Sequence, residues 1–535
     1  MTIRYLIDTD RKAALNAAGK DYTPAYIPAL TAYMGISASP IAPAELDTLT
    51  AEDILLVGAG DLPKAPITAA AILLLGADAV EFPREPVIYA YYQKEDKKLP
   101  LFAPILPTEG DFQTLAWAEA DGKRLPALVK RGANVYDFRF DLAATIWYSG
   151  DGFKIKDIWW YSFPIGRTPD FRPLPLDHDT SVPYNDLLLS ELEFILRTLG
   201  VPMLHKLAPM EDGSIPDFAF HSSGDDDHTS AFYNLNAALT MESYGIPYHI
   251  NAMPAGGSFI IDKEQYDEIV SHGTEFALHG DFTCTPYTLE SHKDQAETFR
   301  TIFQDEPVTN VNHCLTQDGS TAERMRWLAE CGIIADNGHQ CEIDTTDINF
   351  FNLTGYGFGT AFPRYTCDDP EHANEMIGCF LIPMTYYEPR VDGIIDRYRI
   401  PEKVINYIDY AAATGGIAQF FFHPHYLAPD NEHTPAAHAA IKLMKARVEE
   451  MGYKPHFTST NRIAKFWKAR SESRLEVKGD SITVTCEAPM ILRLPAKPSS
   501  VTVDGAAAAV TEKTISGDFA WLVTIPAGTH TVVAK

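Results

Sequence analysis

Phe218-Ala219-Phe220-His221-Ser222-Ser223-Gly224-Asp225-Asp226-Asp227-His228 is the stretch on which the reading of this chain turns. A short apolar run passes through a glycine into three adjacent carboxylates, and a helical pattern follows. Adjacent carboxylates repel one another unless a cation or water shares their charge. At the C-terminal end of a strand they face the mouth of an α/β fold, where active sites collect. Taken alone, the same stretch also reads as an acidic surface turn that caps the next helix. The segments on either side decide between the two readings.

Downstream, strands and helices alternate from about 210 to 455. Thr229 or Ser230 caps a helix expected to place Phe232, Leu235 and Leu239 on one apolar face, closed by Gly245. Residues 246–252 read as a strand. Asp262 starts a helix that ends at Gly273, and residues 275–278 are the next strand. Ser320-Thr321-Ala322-Glu323 is a capping box whose helix stops at Gly332, and residues 333–335 read as strand. Pro401 takes a helix N1 position, and Gly415-Gly416 closes that helix. Residues 417–422 form an apolar strand, and Thr434-Pro435 opens a long helix to Met451. Strands this apolar, alternating with helices, predict a parallel sheet covered on both faces, or a barrel.

Upstream, residues 1–95 read as a small α/β domain. Strands are expected at 4–7, 53–57 and 87–92, and helices at 26–34 and 67–75. Gly58-Ala59-Gly60-Asp61-Leu62-Pro63 follows a strand but fails as a dinucleotide fingerprint. Pro63 stands where the third glycine is needed. Residues 96–205 form a mixed α+β linking region with an amphipathic helix at 187–199. Its aromatic residues Trp147, Tyr148, Trp159, Trp160 and Tyr161 read first as core or interface, and only second as a sugar-stacking surface. The barrel is assigned to 206–465. In residues 470–535 apolar and polar positions alternate between Gly, Pro and Asp turns, which predicts a small C-terminal β-sandwich.

Bulk properties exclude several function classes. The 535 residues exceed one ordinary domain. A formal net charge of -28 argues against nucleic acid or an anionic membrane as partner. Seven cysteines, with no Cys-x-x-Cys pair, fit neither a disulfide framework nor a cysteine-built zinc site. No stretch is long and apolar enough to span a bilayer; 69–75 is far too short. The first residues lack the apolar core of a secretion signal, so a cytoplasmic chain is expected, or a secreted one if a leader has been removed.

The polar residues at the strand ends carry the chemistry. Asp225–Asp227 follow one strand, His279-Gly280-Asp281 another, Asn312-His313-Cys314 a third and His423-Pro424-His425 a fourth. In a barrel these ends meet at one rim. A carboxylate with two imidazoles suits a divalent metal, zinc first. A single histidine at a strand end is more often scaffolding; four polar ends in one βα array weigh towards a catalytic or metal site.

This order resembles the polysaccharide deacetylases of the NodB-homology family. Phe218–Asp227 with Gly245-Ile246-Pro247 matches the layout of the family's first block. Glu275-Phe276-Ala277-Leu278-His279 resembles its first metal-histidine strand, and Phe421-Phe422-His423 its last motif. The resemblance covers about 210 to 430. It departs at Thr283, where a second histidine is the family pattern, and at Asn312-His313-Cys314, where an Arg-Pro-Pro stretch is usual. The resemblance implies a distorted (β/α) barrel. It also implies a hydrolase that removes N-acetyl, or possibly O-acetyl, groups from a glycan or oligosaccharide with one divalent metal, zinc first. Transferred residue by residue, it makes Asp226 the general base and His423 the general acid. Asp227, His279 and His313 become the metal ligands, with Asp281 and His425 behind His313 as alternatives. Asp225, Asp281 and His425 are expected to contact substrate. The register 225/226 for the base–ligand pair stays open beside 226/227. Two rivals are a barrel that only binds glycans, which Thr283 favours, and a two-carboxylate glycosidase using an acid such as Glu342 or Glu388.

Overall fold

The computed structural model describes residues 1–63, 66–79, 81–153, 166–167, 181–340, 355–356, 358–388 and 401–535. Trp159, Trp160, Tyr161 and Glu342 lie outside the described residues.

The central element is a curled sheet of ten strands among the described residues. In chain order its main strands are β1 (Phe218–Asp225), β2 (Tyr248–Ala252), β3 (Glu275–Gly280), β4 (Thr309–Asn312), β5 (Ala335–Gln340), β6 (Met376–Met384), β7 (Tyr386–Tyr387) and β8 (Ile417–Phe421). β1 pairs in parallel with β2 on one side and β8 on the other. Parallel pairing continues from β2 through β3, β4 and β5 to β6. β6 and β7 are separated by a single residue, yet β6 pairs with β5 and β7 pairs with β8. One short segment therefore runs from near one edge of the sheet, where Arg364–Cys367 adds an antiparallel outer strand, to the other edge, and the sheet is curled. Every residue of β1, β2, β4 and β8 is buried, as strands covered on both faces require.

The intervening helices cover the outside. Asp262 caps the helix Lys263–Ser271 through the Gln265 amide, with a full capping box. Ser320 caps Thr321–Glu330 through the Glu323 amide. Gly415 ends Val404–Thr414 at φ 61°, a left-handed position that turns the chain directly into β8. One expectation fails here. The helix Ala231–Ser243 buries Asn234, Ala237, Ala238 and Met241. Phe232 and Leu239 are 61% and 44% exposed, so the small residues, not the large ones, face the sheet.

The first sheet runs through Thr2–Phe138, across position 95. Its parallel strands lie in the order Ala38–Ile41, Thr2–Leu6, Asp53–Val57, Ala71–Leu75, Val135–Phe138, followed by antiparallel strands. The helix expected at 67–75 is instead the strand Ala71–Leu75, whose residues alternate between buried and half-buried. It hydrogen-bonds on both sides, to Asp53–Val57 and Val135–Phe138, and this pairing overrides the helical bias of its alanines and leucines. This sheet and the curled sheet share one continuous apolar core. Trp147 belongs to that core, stacked on Tyr26 at 5.5 Å. Residues 474–534 form antiparallel strands in two sheets that share an apolar cluster including Val484, Leu492 and Val523.

Candidate active site

Four strand ends converge where the polar motifs stand. Asp225 is the last residue of β1, and His279 is the penultimate residue of β3. His313 follows β4 immediately, and His423 follows β8 by two positions. The backbone after β1 enters the left-handed region at Asp227 (φ 44°) and His228 (φ 60°). Non-glycine residues take up that region rarely and at a cost. Here it swings the third aspartate, rather than the second, into the cluster.

Asp227 is the hub. His279 Nε2 lies 3.2 Å from its Oδ1, and His423 Nε2 lies 3.1 Å from its Oδ2. His313 Nε2 is 3.8 Å from Oδ1. Burial opposes ionisation of Asp227, but His423 and His279 hold its carboxyl far below the usual carboxylate range. Asp225 Oδ2 lies 3.4 Å from His279 Nε2, while its Oδ1 accepts a 2.7 Å hydrogen bond from Asn251 at the end of β2. Asp226 points elsewhere. Its Oδ1 accepts from the backbone amides of Met253 (2.9 Å) and His228 (3.3 Å), and no imidazole forms an ion pair with it among the described residues. Burial raises the Asp226 pKa to about 7. Of the two registers drawn from the sequence, 226/227 has its ligand, Asp227, among the imidazoles, while Asp226, its base, stands apart from them. The outer carboxylates, Asp225 and Asp227, meet the imidazoles, and the middle one braces the turn.

The imidazoles are held by different partners. His279 is fully buried, and its Nδ1 lies 2.9 Å from the Val311 carbonyl. A hydrogen bond to a carbonyl requires Nδ1–H, so Nε2 is the nitrogen turned towards Asp227 and Asp225. His313 Nδ1 faces Asp281 Oδ1 at 3.6 Å, an electrostatic contact longer than a hydrogen bond. Burial lowers the His313 pKa, but Asp281, Cys314 and Asp227 outweigh it and raise the pKa to about 10. Asp281 is itself fixed by the Thr283 amide (2.9 Å) and hydroxyl (2.6 Å). Burial works against its charge, yet His313 and Thr283 bring its pKa to about 2. Thr283 thus secures the carboxylate that faces His313, in the place where the family pattern has a histidine. His423 Nδ1 is hydrogen-bonded to Glu388, which is 1% exposed. Burial alone would keep His423 neutral; Glu388 and Asp227 raise its pKa well above the usual imidazole value. His425 packs beside His423, with ring centroids 5.4 Å apart, and stands outside the cluster.

Two triads have ligand atoms close enough to share one ion: Asp227, His279 and His313, and Asp225, Asp227 and His423. In each, those atoms lie within 4.8 Å of one another. One carboxylate with two imidazoles is a donor set that suits zinc.

No family model matches the chain, and no curated protein matches it. Solved structures match over about half of it. A Parabacteroides distasonis protein assigned as a glycoside hydrolase/deacetylase is 11% identical at a TM-score of 0.33, covering 52% of this chain and 82% of its own. A family 4 carbohydrate esterase from Bacillus anthracis is 12% identical at a TM-score of 0.26, covering 46% and 82%. A family 4 acetyl xylan esterase from Clostridium thermocellum, solved with a cobalt ion, is 8% identical at 0.26, covering 46% and 91%. The functional reading rests on the side chains instead.

Sequence reasoning missed two members of the site. Asn251 is a polar residue in a wholly buried strand, a signal visible in the sequence beside Ile250 and Ala252. Glu388 was weighed only as a glycosidase acid; its pairing with His423 depends on the approach of β7 to β8, which no local pattern encodes. Among the described residues no helix is long and apolar enough to cross a membrane.

Proposed function

We propose that this chain is a metal-dependent hydrolase that removes acetyl groups, N-acetyl first and O-acetyl second, from a carbohydrate. The observation that carries the reading is the convergence of Asp225, Asp227, His279, His313 and His423 from four strand ends. Asp227, His279 and His313 would hold one divalent ion, zinc first. The Nδ1 contact of His279 with Val311 and the Asp281 carboxylate facing His313 are the outer contacts that metal-binding histidines use. Such an ion, when bound, polarises an acyl carbonyl and lowers the pKa of water.

The chain's own groups supply the proton transfers. Asp225, oriented by Asn251, takes the proton from the attacking water as general base. This revises the assignment of that role to Asp226, whose oxygen is committed to two backbone amides. His423, kept as imidazolium by Glu388, gives its proton to the leaving nitrogen or oxygen. Asp281 serves His313 rather than substrate. Glu388 is committed to His423, which weighs against its use as a free acid in a two-carboxylate glycosidase.

The test is acetate release from N-acetylated chitooligosaccharides and O-acetylated xylooligosaccharides. Activity should vanish on chelation and return with zinc or cobalt, and His279→Ala should lose both zinc binding and turnover. Acetate release that persists in a chelator would refute the metal-dependent reading. Glycan binding without any turnover in the zinc-loaded protein would favour a binding barrel.

A further inference from the structure

At the opposite end of the curled sheet lies a second polar site. Arg493 sits in the strand Met490–Leu494, where Met490, Leu492 and Leu494 face the C-terminal apolar cluster. By strand alternation Arg493 points the other way, into a cavity of about 60 Å³ between the helix Tyr184–Thr198, the segment 203–206 and the end of the helix Val404–Thr414. The residue is 8% exposed. Its Nε and Nη2 atoms are buried, and no hydrogen bond or ion pair reaches them from any described residue. A buried guanidinium left this way is costly, by several kcal/mol.

The neighbouring charges do not supply the missing partner. Arg197 is paired with Asp518 at 2.6 Å, and Lys206 with Glu193 at 2.5 Å. Asp186 gives one oxygen to the Tyr33 hydroxyl (2.8 Å) and the other to the Ala361 amide (2.7 Å). Behind the cavity, buried Arg470 donates only to carbonyls, those of His205, Ala32, Tyr33 and Leu204. The lining carries three cations, Arg197, Lys206 and Arg493, against three carboxylates, Asp186, Glu193 and Asp518; with the first two cations paired, the Arg493 Nε and Nη2 groups are the ones left without a bonded partner among the described residues. His205 senses the same field. Burial first, then Arg493, Arg470 and Lys206, drive its pKa well below the usual value. A net charge of -28 repels anions from this protein in general, so an anion held here would depend on local groups, Arg493 first.

We infer that this cavity binds one small oxyanion, a phosphate, sulfate or small carboxylate, on the Arg493 guanidinium where the helices Ile27–Met34, Tyr184–Thr198 and Val404–Thr414 meet the C-terminal strands. The guanidinium fork suits two oxygens of such an anion. The volume admits a tetrahedral oxyanion. The ligand would tie three parts of the chain together, away from the histidine cluster, and the inference is independent of the proposed activity.

Equilibrium dialysis of the zinc-loaded full chain with labelled phosphate, at constant ionic strength, tests it. Phosphate should bind and raise the melting temperature, while sulfate and acetate compete to different extents and distinguish the anion class. Arg493→Met should weaken phosphate binding at least tenfold. Asp518→Asn, at a half-exposed position, frees Arg197 and should tighten binding several-fold. The opposite signs keep the test decisive even if Arg493→Met folds poorly. Absence of phosphate binding, or binding that neither substitution changes, would overturn the inference; the second result would assign the phosphate to another site such as the histidine cluster.

Discussion

Asp281→Asn separates two roles for one carboxylate. If Asp281 positions His313, the substitution weakens the metal site; if it contacts substrate, it does not. At 3.6 Å, and with an effective dielectric constant of about 20, full opposite charges on Asp281 and His313 attract by about 5 kcal/mol. That figure is a ceiling, because the His313 side chain is 22% exposed and water screens the pair. A ligand's outer partner usually contributes tenfold to a hundredfold in metal affinity, about 1.4–2.7 kcal/mol. Asparagine keeps Oδ1 as an acceptor for the Thr283 amide and hydroxyl, so the turn should survive and the change should isolate charge. The assay is zinc titration by calorimetry in two buffers of different ionisation enthalpy, which separates zinc affinity from the proton that zinc displaces. The expected result is a zinc constant tenfold to a hundredfold weaker, with KM for an acetylated oligosaccharide nearly unchanged once zinc saturates. An unchanged zinc constant with a raised KM would refute the positioning role and restore Asp281 to the substrate.

Four further outcomes follow from the same geometry. Asp225→Asn should lower kcat by about 10²–10⁴, the range of a general base, while Asp226→Asn, which keeps the acceptor for Met253, should cost far less; equal losses in acetate release would undo the assignment. Glu388→Gln should lower kcat/KM by about a hundredfold, and adding it to His423→Gln should cause little further loss; strictly additive effects would show that the two do not act as a unit. Gly224→Ala would place a Cβ 1.5 Å from the Phe422 carbonyl oxygen, so strands β1 and β8 must part beside His423. A loss of at least about 3 kcal/mol in urea unfolding is expected, and a fully stable variant would contradict the packing. Burial, with some help from His249, lowers the His221 pKa to about 3. The unfolded chain takes up that proton below about pH 6.5 and the folded chain does not. His221 should therefore contribute a fall of about 1.4 kcal/mol per pH unit from 6.5 towards 3, beside the shares of the other buried histidines, and His221→Gln should reduce the slope by that amount; an unaltered slope in urea midpoints against pH would exclude His221 as a source.

The alternation of strands and helices around the curled sheet was legible because its cues are local. The caps at Asp262 and Ser320, the glycine at 415 and the apolar runs of β1 and β8 each act within a few residues, and each appears where read. Helix facing was less legible. In Ala231–Ser243 the sheet approaches closely enough to select Ala237 and Ala238 over Phe232 and Leu239, a choice made by partners distant in sequence. The strand Ala71–Leu75 has the composition of a helix and is decided by neighbours on both sides. Within the site, the residue types at the strand ends were readable. That Asp225 rather than Asp226 joins Asp227 there was not, because it depends on the backbone torsions of the turn.

Those torsions point to a common device. Left-handed, non-glycine residues stand at three of the loops that supply the cluster: Asp227 and His228 after β1, Cys314 and Leu315 after His313, and Glu388 after β7. Each such residue costs about 1–3 kcal/mol and persists only where its surroundings over-determine it. The surroundings here are hydrogen bonds made by groups that do not themselves meet the imidazoles. Asp226 accepts from Met253 and His228, Asn312 donates to the Thr316 carbonyl across the Cys314 turn, and the Glu388 amide donates to the Phe421 carbonyl. The strain is therefore offset inside the protein before any ligand arrives. A site whose side chains are aimed by such turns keeps its geometry without an ion, so metal binding would need little rearrangement beyond the loss of a proton from His313. That is why the second aspartate, silent in the cluster, is as necessary to its shape as the two that enter it.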